Sequence, residues 1–205
     1  MNFLAHLALA GPSDASRVGN LLGDFEKGTP ASLAERHAPE IVAGILMHRQ
    51  LDRHTDDHPS FRAAKLLLAP ERRRFAGILL DLYFDHLLHR HWPRFHPGTA
   101  EDFIAGIHHT LERRRDWLGP NFGPLAPLLR QQNWLGSYAT LPGLQLTLDR
   151  VSRRSPRFAP LREGLQDYLR QEGEIEELFL ALYPDLRARA NLLLGNKTLI
   201  TPSFP

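Results

Sequence analysis

Segments in which apolar residues recur with helical spacing, separated by proline and glycine, make up most of this chain. Ile41, Val42 and Ile45 show the pattern, because residues three and four apart lie on one face of a helix. No run alternates β-branched with polar residues as a half-buried strand would. The pattern predicts an all-α fold, and a length of 205 residues fits a single-domain helical bundle.

Capping residues and prolines predict where the helices begin and end. Ser13 or Asp14 can cap a second helix, and Pro70 occupies a good first-turn position for a long helix over about 71–92. Four further helical segments are predicted at 99–118, 125–131, 142–154 and 159–194. We predict one domain over residues 1–194, with 119–124 as an internal loop. The tail, 195–205, is predicted to be extended or disordered, because it has two prolines and no helical pattern.

The first half of the chain concentrates acidic and imidazole side chains on segments that otherwise resemble apolar helices. These side chains are His6, Asp24, His48, Asp52, Asp56, Asp81, Asp85 and His86. Burying an ionised side chain is unfavourable unless it is paired, hydrogen-bonded or bound to a cation. The set therefore favours a divalent-metal site, and with it a hydrolase.

The spacing of these residues supports that interpretation. His48 and Asp52 lie four residues apart, as do Asp81 and Asp85, so each pair shares a helix face. Mixed nitrogen and oxygen ligands suit manganese, magnesium or iron. Such an ion would promote ionisation of a water and neutralise a phosphate oxygen, and both effects lower a phosphoester barrier.

Ordinary ion pairing is the alternative for any one of these residues. Arg49, Arg53 and Arg90 lie close enough in sequence to act as partners, and structural ion pairs also bury such groups. The set as a whole still favours a metal site. His6 and Asp24 each lie among apolar neighbours, so both are expected to point inward.

Composition narrows the possible functions. The chain has no cysteine, which excludes disulfides, thiolate zinc sites and a cysteine nucleophile. Its net charge is only +2, but 22 of its 25 basic residues are arginine, which favours an acidic partner or substrate. Nucleic acid is a weaker candidate, because the charges nearly balance. No apolar run reaches the roughly eighteen residues of a membrane helix and no basic signal-peptide start is present, so we predict a cytoplasmic protein without a membrane partner.

Arginines cluster at 72–74, at 113–115 and between 150 and 157. Each cluster is either a solvated face or a docking surface for an acidic protein. The residues predicted to bind a partner are Arg72, Arg73, Arg74, Arg153 and Arg154.

Several motifs resemble one known family. They are Asn-Phe-Leu-Ala-His-Leu at 2–7, Gly-Asn-Leu-Leu-Gly-Asp-Phe at 19–25, Val-Ala-Gly-Ile at 42–45 followed by His48-Arg49 and Asp52, and Asp81 with Asp85-His86 through His91-Trp92. Together they resemble the acyl carrier protein phosphodiesterases. The resemblance is distinctive over 1–92 and weaker beyond, where 152–157 is the best local match.

The resemblance implies an activity, a metal and a site. The activity is hydrolysis of the phosphodiester between 4′-phosphopantetheine and the carrier serine of holo-acyl carrier protein, leaving the apo-protein. The metal is divalent, typically manganese, and the all-α fold is similar to that of HD-type metal-dependent phosphohydrolases. The active-site set carried over from the family is His6, Asn20, Asp24, His48, Asp52, Asp81, Asp85 and His86.

Roles within this set remain hypotheses. The predicted metal ligands are Asp24, His48, Asp81, Asp85 and His86. The predicted catalytic residues are His6, Asn20, Asp24, Arg49 and Asp52. Among these, His6 or Asp52 would orient or deprotonate water, and Arg49 would stabilise developing negative charge.

Two other functions stay open at this stage. One is an HD-type phosphohydrolase that acts on a nucleotide or another small phosphoester. The other is a non-catalytic, arginine-rich helical module that binds acidic protein or RNA, with the His and Asp residues merely structural.

Overall fold

A computed structural model describes residues 3–195, and within this range the regular secondary structure is helical with no strand. The all-α prediction is therefore confirmed. The helices pack around a shared apolar core that runs from Leu4 to Leu193. The predicted tail falls on residues 196–205, which lie outside the described range, and Gly195 is the last residue of the final helix.

The helices follow one another with short connections. In the first half they are α1 (Phe3–Leu9), α2 (Asp14–Leu22), α3 (Pro30–Ala34), α4 (Pro39–Asp57), α5 (Pro59–Leu67), α6 (Ala76–Arg90) and α7 (Trp92–Phe95). In the second half they are α8 (Ala100–Arg113), α9 (Gly119–Phe122), α10 (Ala126–Gln131), α11 (Trp134–Ser137), α12 (Leu141–Ser152), α13 (Gly164–Arg170) and α14 (Glu172–Gly195). Short 3-10 helices occupy Arg73–Phe75, Arg115–Trp117 and Pro156–Glu163.

Local sequence explains most of the helix starts. Ser13 caps α2, because its hydroxyl accepts a hydrogen bond from the Ser16 amide at 3.1 Å. Of the two predicted caps, Ser13 is therefore the one used. Helices α4 and α5 each begin with a proline, whose missing N–H is not needed in the first turn.

Three helix predictions were wrong in their extent. The helix expected over 99–118 is α8 (Ala100–Arg113) followed by a separate 3-10 helix over Arg115–Trp117. The long helix expected over 71–92 begins only at Ala76, after the 3-10 turn, because side-chain contacts hold the segment before it. Arg73 donates to the carbonyls of Leu66 and Leu68 at the end of α5. The segment expected as one helix over 159–194 is divided into a 3-10 helix, α13 and α14.

Helix α6 is the central helix of the bundle, since ten of its fifteen residues are buried. It contacts α1, α5, α12 and α14. Segment 119–124, predicted as an internal loop, contains the short helix α9, and it belongs to the same core because Phe122 is fully buried there against Phe25. Within residues 3–195 no helix is both long and apolar enough to cross a bilayer.

Two glycines allow α2 and α4 to pack in direct backbone contact. A Cβ atom at Gly19 would lie 2.3 Å from the carbonyl oxygen of Ile41, and one at Gly44 would lie 2.8 Å from the Cα of Gly19. Neither position therefore tolerates a side chain without separating the helices. This close approach sets the distance between the end of α2 and the middle of α4.

Candidate active site

Four of the predicted site residues converge where α1, α2 and α4 meet. His6 comes from α1, Asp24 follows α2, and His48 and Asp52 lie one turn apart on α4. Asp52 contacts both imidazoles, with Oδ1 2.9 Å from His6 Nε2 and Oδ2 3.0 Å from His48 Nε2. Asp24 Oδ1 lies 3.4 Å from the same His48 nitrogen.

The orientation of His48 is fixed by the backbone of α2. Its Nδ1–H donates to the carbonyl oxygen of Asn20 at 2.7 Å, so Nε2 is the nitrogen that faces the two carboxylates. The ring lies directly on Gly23, where a Cβ atom would be 2.2 Å from the His48 ring. Asn20 thus contributes through its backbone, while its fully buried side-chain Oδ1 has no hydrogen-bond partner.

The two histidines stack on each other. Their ring centroids are 3.7 Å apart at an interplanar angle of 19°, and both rings are buried. His6 Nδ1 is buried without a hydrogen-bond partner. The carboxylates are more open, with side-chain exposures of 48% for Asp24 and 38% for Asp52, so the cluster is enclosed on the histidine side and reachable from solvent on the other.

Burial and pairing pull the pKa values of the cluster apart. Burial, reinforced by neighbouring His48, lowers the pKa of His6 to about 4. Burial opposes protonation of His48 too, but its hydrogen bonds to Asp24 and Asp52 outweigh that effect and raise its pKa to about 9. Burial would raise the pKa of both aspartates, yet the bonds from His48 hold each below its usual range.

The donor set fits a divalent cation. His6, His48 and Asp52 each offer one ligand atom, and these atoms all lie within 4.8 Å of one another. In the neutral tautomer that donates to Asn20, the His48 Nε2 lone pair points at two carboxylates, an arrangement that needs a proton or a cation between them. Nitrogen and oxygen donors in this mixture suit manganese, magnesium or iron.

Arg49 positions the loop that carries Asp24. Its two amino groups donate to the carbonyl oxygens of Gly28 and Glu26, both at 2.8 Å. The Glu26 side chain is buried and accepts a hydrogen bond from Arg36 at 2.7 Å. The guanidinium of Arg49 is therefore engaged with this loop rather than with the carboxylates of the cluster.

A cleft of about 840 Å³ adjoins the cluster. Asp24 and Asp81 line it together with aromatic and polar side chains. The aromatic members are Phe3, Phe25, Trp134, Tyr138 and Phe158. Arg150 and Arg154 line it as well. A negatively charged group inside the cleft would therefore lie close to two cationic side chains and to Asp24, the member of the cluster that lines the cleft.

Comparison with known proteins decides the family. The family model described as acyl carrier protein phosphodiesterase matches residues 1–186. A Salmonella dublin protein named acyl carrier protein phosphodiesterase is 38% identical over 191 residues, which cover 93% of this chain and 97% of that protein. Two further proteins of the same name also match. The one from Yersinia pestis is 37% identical over 93% of this chain and 97% of its own length. The one from Pectobacterium atrosepticum is 39% identical over 90% of this chain and 94% of its own length.

The chain belongs to the acyl carrier protein phosphodiesterase family. The resemblance seen in its sequence is confirmed, and so is the prediction that it is a phosphodiesterase enzyme. No solved structure matches the chain, so its likeness to HD-type phosphohydrolases stays a prediction.

Three residues on α6 were also predicted as metal ligands; in the structure Asp85 and His86 lie outside the cluster, and Asp81 lines the adjoining cleft. The carboxylate of Asp85 is fully buried and accepts hydrogen bonds from the amides of Leu4 and Ala5 at 3.0 and 3.2 Å. His86 donates through Nδ1 to the carbonyl oxygen of Tyr138 at 2.7 Å. Asp81 lines the cleft beside Asp24, and burial raises its pKa.

Asp85 and His86 are thus separate from the cluster formed by His6, Asp24, His48 and Asp52. Asp85 satisfies the free amides in the first turn of α1, the helix that carries His6. Burial raises the pKa of Asp85 to about 7, although its two backbone hydrogen bonds act in the opposite direction. Asp56, one turn beyond Asp52, is exposed and lies 3.8 Å from Lys65, so it also stays outside the cluster.

The predicted docking arginines do not form one surface. Arg72 is buried and binds Asp167 through two hydrogen bonds of 2.7 and 2.9 Å, so its assignment as a partner-binding residue was wrong. The Arg73 guanidinium donates to the carbonyl oxygen of Leu68 at the end of α5, whereas Arg74 is exposed and lies over the Phe75 ring. Arg153 and Arg154 are exposed.

Sequence reasoning missed the residues whose role depends on tertiary packing. Gly19, Gly23 and Gly44 determine how closely α2, α4 and the His48 ring approach. Trp134 stacks on Phe3 and lines the cleft. No local pattern distinguishes such residues from ordinary helix and core positions.

Proposed function

We propose that this chain is a divalent-metal-dependent phosphodiesterase that releases 4′-phosphopantetheine from the serine of holo-acyl carrier protein, leaving the apo-protein. The observation that carries the proposal is the convergence of two imidazoles and two carboxylates beside a cleft. The names of the relatives supply the carrier protein as the substrate. The predicted cytoplasmic location fits a carrier protein of the cell interior.

His6, Asp24, His48 and Asp52 would hold the cation. Manganese is the first candidate, with magnesium and iron as alternatives that the same donors accept. When bound, the cation supplies Lewis acidity, which activates water and neutralises charge on a phosphate oxygen. Asn20 keeps His48 in the tautomer that presents Nε2 to this position.

Proton transfer to the leaving oxygen is assigned to Asp81. Hydrolysis forms a bond between water oxygen and phosphorus and breaks the bond from phosphorus to the serine oxygen, which must then gain a proton. Asp81 lines the same cleft as Asp24, and its burial-raised pKa favours the carboxylic acid that can donate that proton. The water's proton passes to an acceptor among the carboxylates, of which Asp52 and Asp24 are the more exposed.

The cleft suits the released group. Its volume of about 840 Å³ is within the range of small-molecule sites. Aromatic walls would pack on the flexible arm, while Gln132, Tyr138 and Thr147 offer hydrogen-bonding groups for its amides. The arm would thus lie along the cleft with its phosphate toward Asp24.

The intact mass of purified holo-acyl carrier protein tests the proposal directly. Incubation with this protein and manganese should remove the mass of the phosphopantetheine arm, and a chelator should prevent the loss. The Asp24→Ala variant should release no arm while keeping its thermal unfolding transition. Asp56→Ala is the matched control, because Asp56 is an exposed carboxylate on the same helix as Asp52 and lies outside the cluster.

The results also separate the alternatives. Unchanged release by Asp24→Ala would remove the assignment of the site. Turnover of a nucleotide or small phosphoester, with holo-carrier left intact, would favour the phosphohydrolase alternative. Protein that holds no stoichiometric cation and shows no manganese-dependent activity would favour the binding module.

A further inference from the structure

The arginines of this chain fall into two groups according to what their guanidinium groups contact. One group binds other parts of the protein itself. Arg72 binds the buried Asp167, and Arg113 and Arg114 both bind Asp14 at 2.8 and 2.9 Å. These guanidinium groups are already paired, so they offer little free charge to a partner.

A second group lies at the end of α12 and just beyond it. Its members are Arg150, Arg153, Arg154 and Arg157. Within residues 3–195 none of the four has an acidic partner, and Arg153, Arg154 and Arg157 are exposed. Arg150 and Arg154 line the cleft that Asp24 also lines, so this unpaired positive charge lies at the candidate active site.

Aromatic contacts extend the group to a fifth arginine. Arg157 lies over the ring of Phe158 at 4.6 Å, and Phe158 packs edge-on against Phe75 at 5.7 Å. Arg74 lies over that Phe75 ring at 4.6 Å and is exposed. The cationic rim is defined here as Arg74, Arg150, Arg153, Arg154 and Arg157.

We propose that the cationic rim is the docking surface for the acidic face of the carrier protein, an inference that rests on the proposed function. Arginine binds carboxylates through paired hydrogen bonds, and a group of unpaired arginines attracts an acidic protein from a distance. Because the rim residues Arg150 and Arg154 line the same cleft as Asp24, a protein seated on the rim presents its serine-linked phosphodiester to the cluster. The rim thereby selects the carrier protein over free phosphoesters.

The rim revises the docking surface expected from sequence. It keeps Arg74, Arg153 and Arg154 and adds Arg150 and Arg157. It excludes Arg72, because that guanidinium is buried and binds Asp167. Arg113 and Arg114 are also excluded, because both are paired with Asp14.

Charge reversal of two exposed rim residues tests the inference. The variant Arg153→Glu/Arg157→Glu should raise the KM for holo-carrier about tenfold or more while kcat stays within about twofold, because rim charges act mainly on encounter. The rate should also depend less steeply on salt. Hydrolysis of bis(p-nitrophenyl) phosphate with manganese, which needs no docking, should be unchanged.

The matched control is Arg94→Glu/Arg115→Glu. Both residues are exposed, neither belongs to the cationic rim, and Arg94 lies over the adjacent Phe95 ring much as Arg157 lies over Phe158. The two variants therefore carry the same change in net charge and comparable losses of ring contact. The control should leave the KM for holo-carrier within about twofold of wild type.

Direct binding keeps the two proposals distinguishable. Apo-carrier, which has no bond to cleave, should bind wild type and control alike and the rim variant about tenfold more weakly in a fluorescence anisotropy titration. If wild type releases no arm, the proposed function fails, and this titration still decides whether the rim docks the carrier. If wild type releases the arm but the rim variant matches the control in KM and in binding, the rim inference is overturned.

Discussion

Helices α4 and α6 each carry a buried His with an Asp close by in sequence, and only the pair on α4 belongs to a cluster of converging side chains. On α4, His48 and Asp52 face each other and meet His6 and Asp24. On α6, Asp85 and His86 are both buried, but backbone groups bind them individually. From the sequence, His48, Asp85 and His86 were all predicted as metal ligands, and Asp52 was predicted as a catalytic residue.

The difference lies in what the Nε2 atom of each histidine, His48 or His86, contacts. Both histidines donate through Nδ1 to a backbone carbonyl oxygen, at 2.7 Å in each case. The Nε2 of His48 then faces two carboxylates, whereas the Nε2 of His86 is buried with no hydrogen-bond partner, and its ring lies edge-on to Tyr168. A buried Asp or His is therefore a candidate ligand only where free donor atoms converge.

The largest expected effect separates these two histidines. His48→Ala removes a proposed metal ligand from the cluster, so manganese-dependent release of the arm should fall about a hundredfold or more, which corresponds to the several kcal/mol that a metal contributes. His86→Ala should retain activity within about tenfold, because His86 lies outside the cluster and binds the Tyr138 carbonyl oxygen. The measurements are kcat on holo-carrier and manganese affinity by calorimetry.

Equal losses of manganese affinity in both variants would contradict this comparison. That result would support the prediction from sequence that His86 is a metal ligand. Circular dichroism should show both variants folded, since each removes one side chain from a large core.

A smaller effect is expected in stability at Asp85. The Asp85→Ala variant leaves the amides of Leu4 and Ala5 without an acceptor inside the protein, which should cost about 2–4 kcal/mol of unfolding free energy. Asp85→Asn keeps one acceptor oxygen and should lose less. Denaturant unfolding measures both, and manganese affinity in Asp85→Asn should remain near that of wild type if Asp85 is not a ligand.

The same residue predicts a pH dependence with a definite sign. Burial raises the pKa of Asp85 from 3.8 to about 7, so the folded protein binds this proton more tightly than the unfolded chain does. The resulting stabilisation is complete below the unfolded pKa and is lost as pH rises through about 7. Wild type should therefore lose stability relative to Asp85→Asn between pH 4 and 7, and a constant difference across that window would contradict the assignment.

Local sequence was sufficient for the fold class and for contacts within one helix. Periodicity predicted the all-α fold, Ser13 caps α2 as expected, and the spacing of His48 and Asp52 brought them together because both lie on α4. His6 points inward as its apolar neighbours predicted, with 1% of its surface exposed, whereas the same prediction for Asp24 was wrong, because its side chain is 48% exposed.

Contacts between distant segments could not be predicted in the same way. Arg72 pairs with a residue 95 positions away, and Asp85 with an amide 81 positions away. The late start of α6 follows from such contacts, since the arginines before it are held by other elements. The meeting of Asp24 with His48 depends on the Gly19–Gly44 contact, which no helical pattern reveals.

The smallest expected effect concerns Arg49. From the sequence it was predicted to stabilise negative charge in the transition state, but in the structure its guanidinium binds the loop after α2. The two carbonyl oxygens it binds lie on either side of Lys27, close to Asp24, so losing it should let the Asp24 carboxylate shift. Arg49→Met should lower kcat about tenfold and weaken manganese affinity by a similar factor, as removal of a supporting hydrogen bond does. Arg53→Met, an exposed arginine one turn along the same helix, is the control. If Arg49 instead acted on the substrate's charge, kcat would fall while manganese affinity stayed at the wild-type value, so measuring both quantities decides between a positioning role and direct contact.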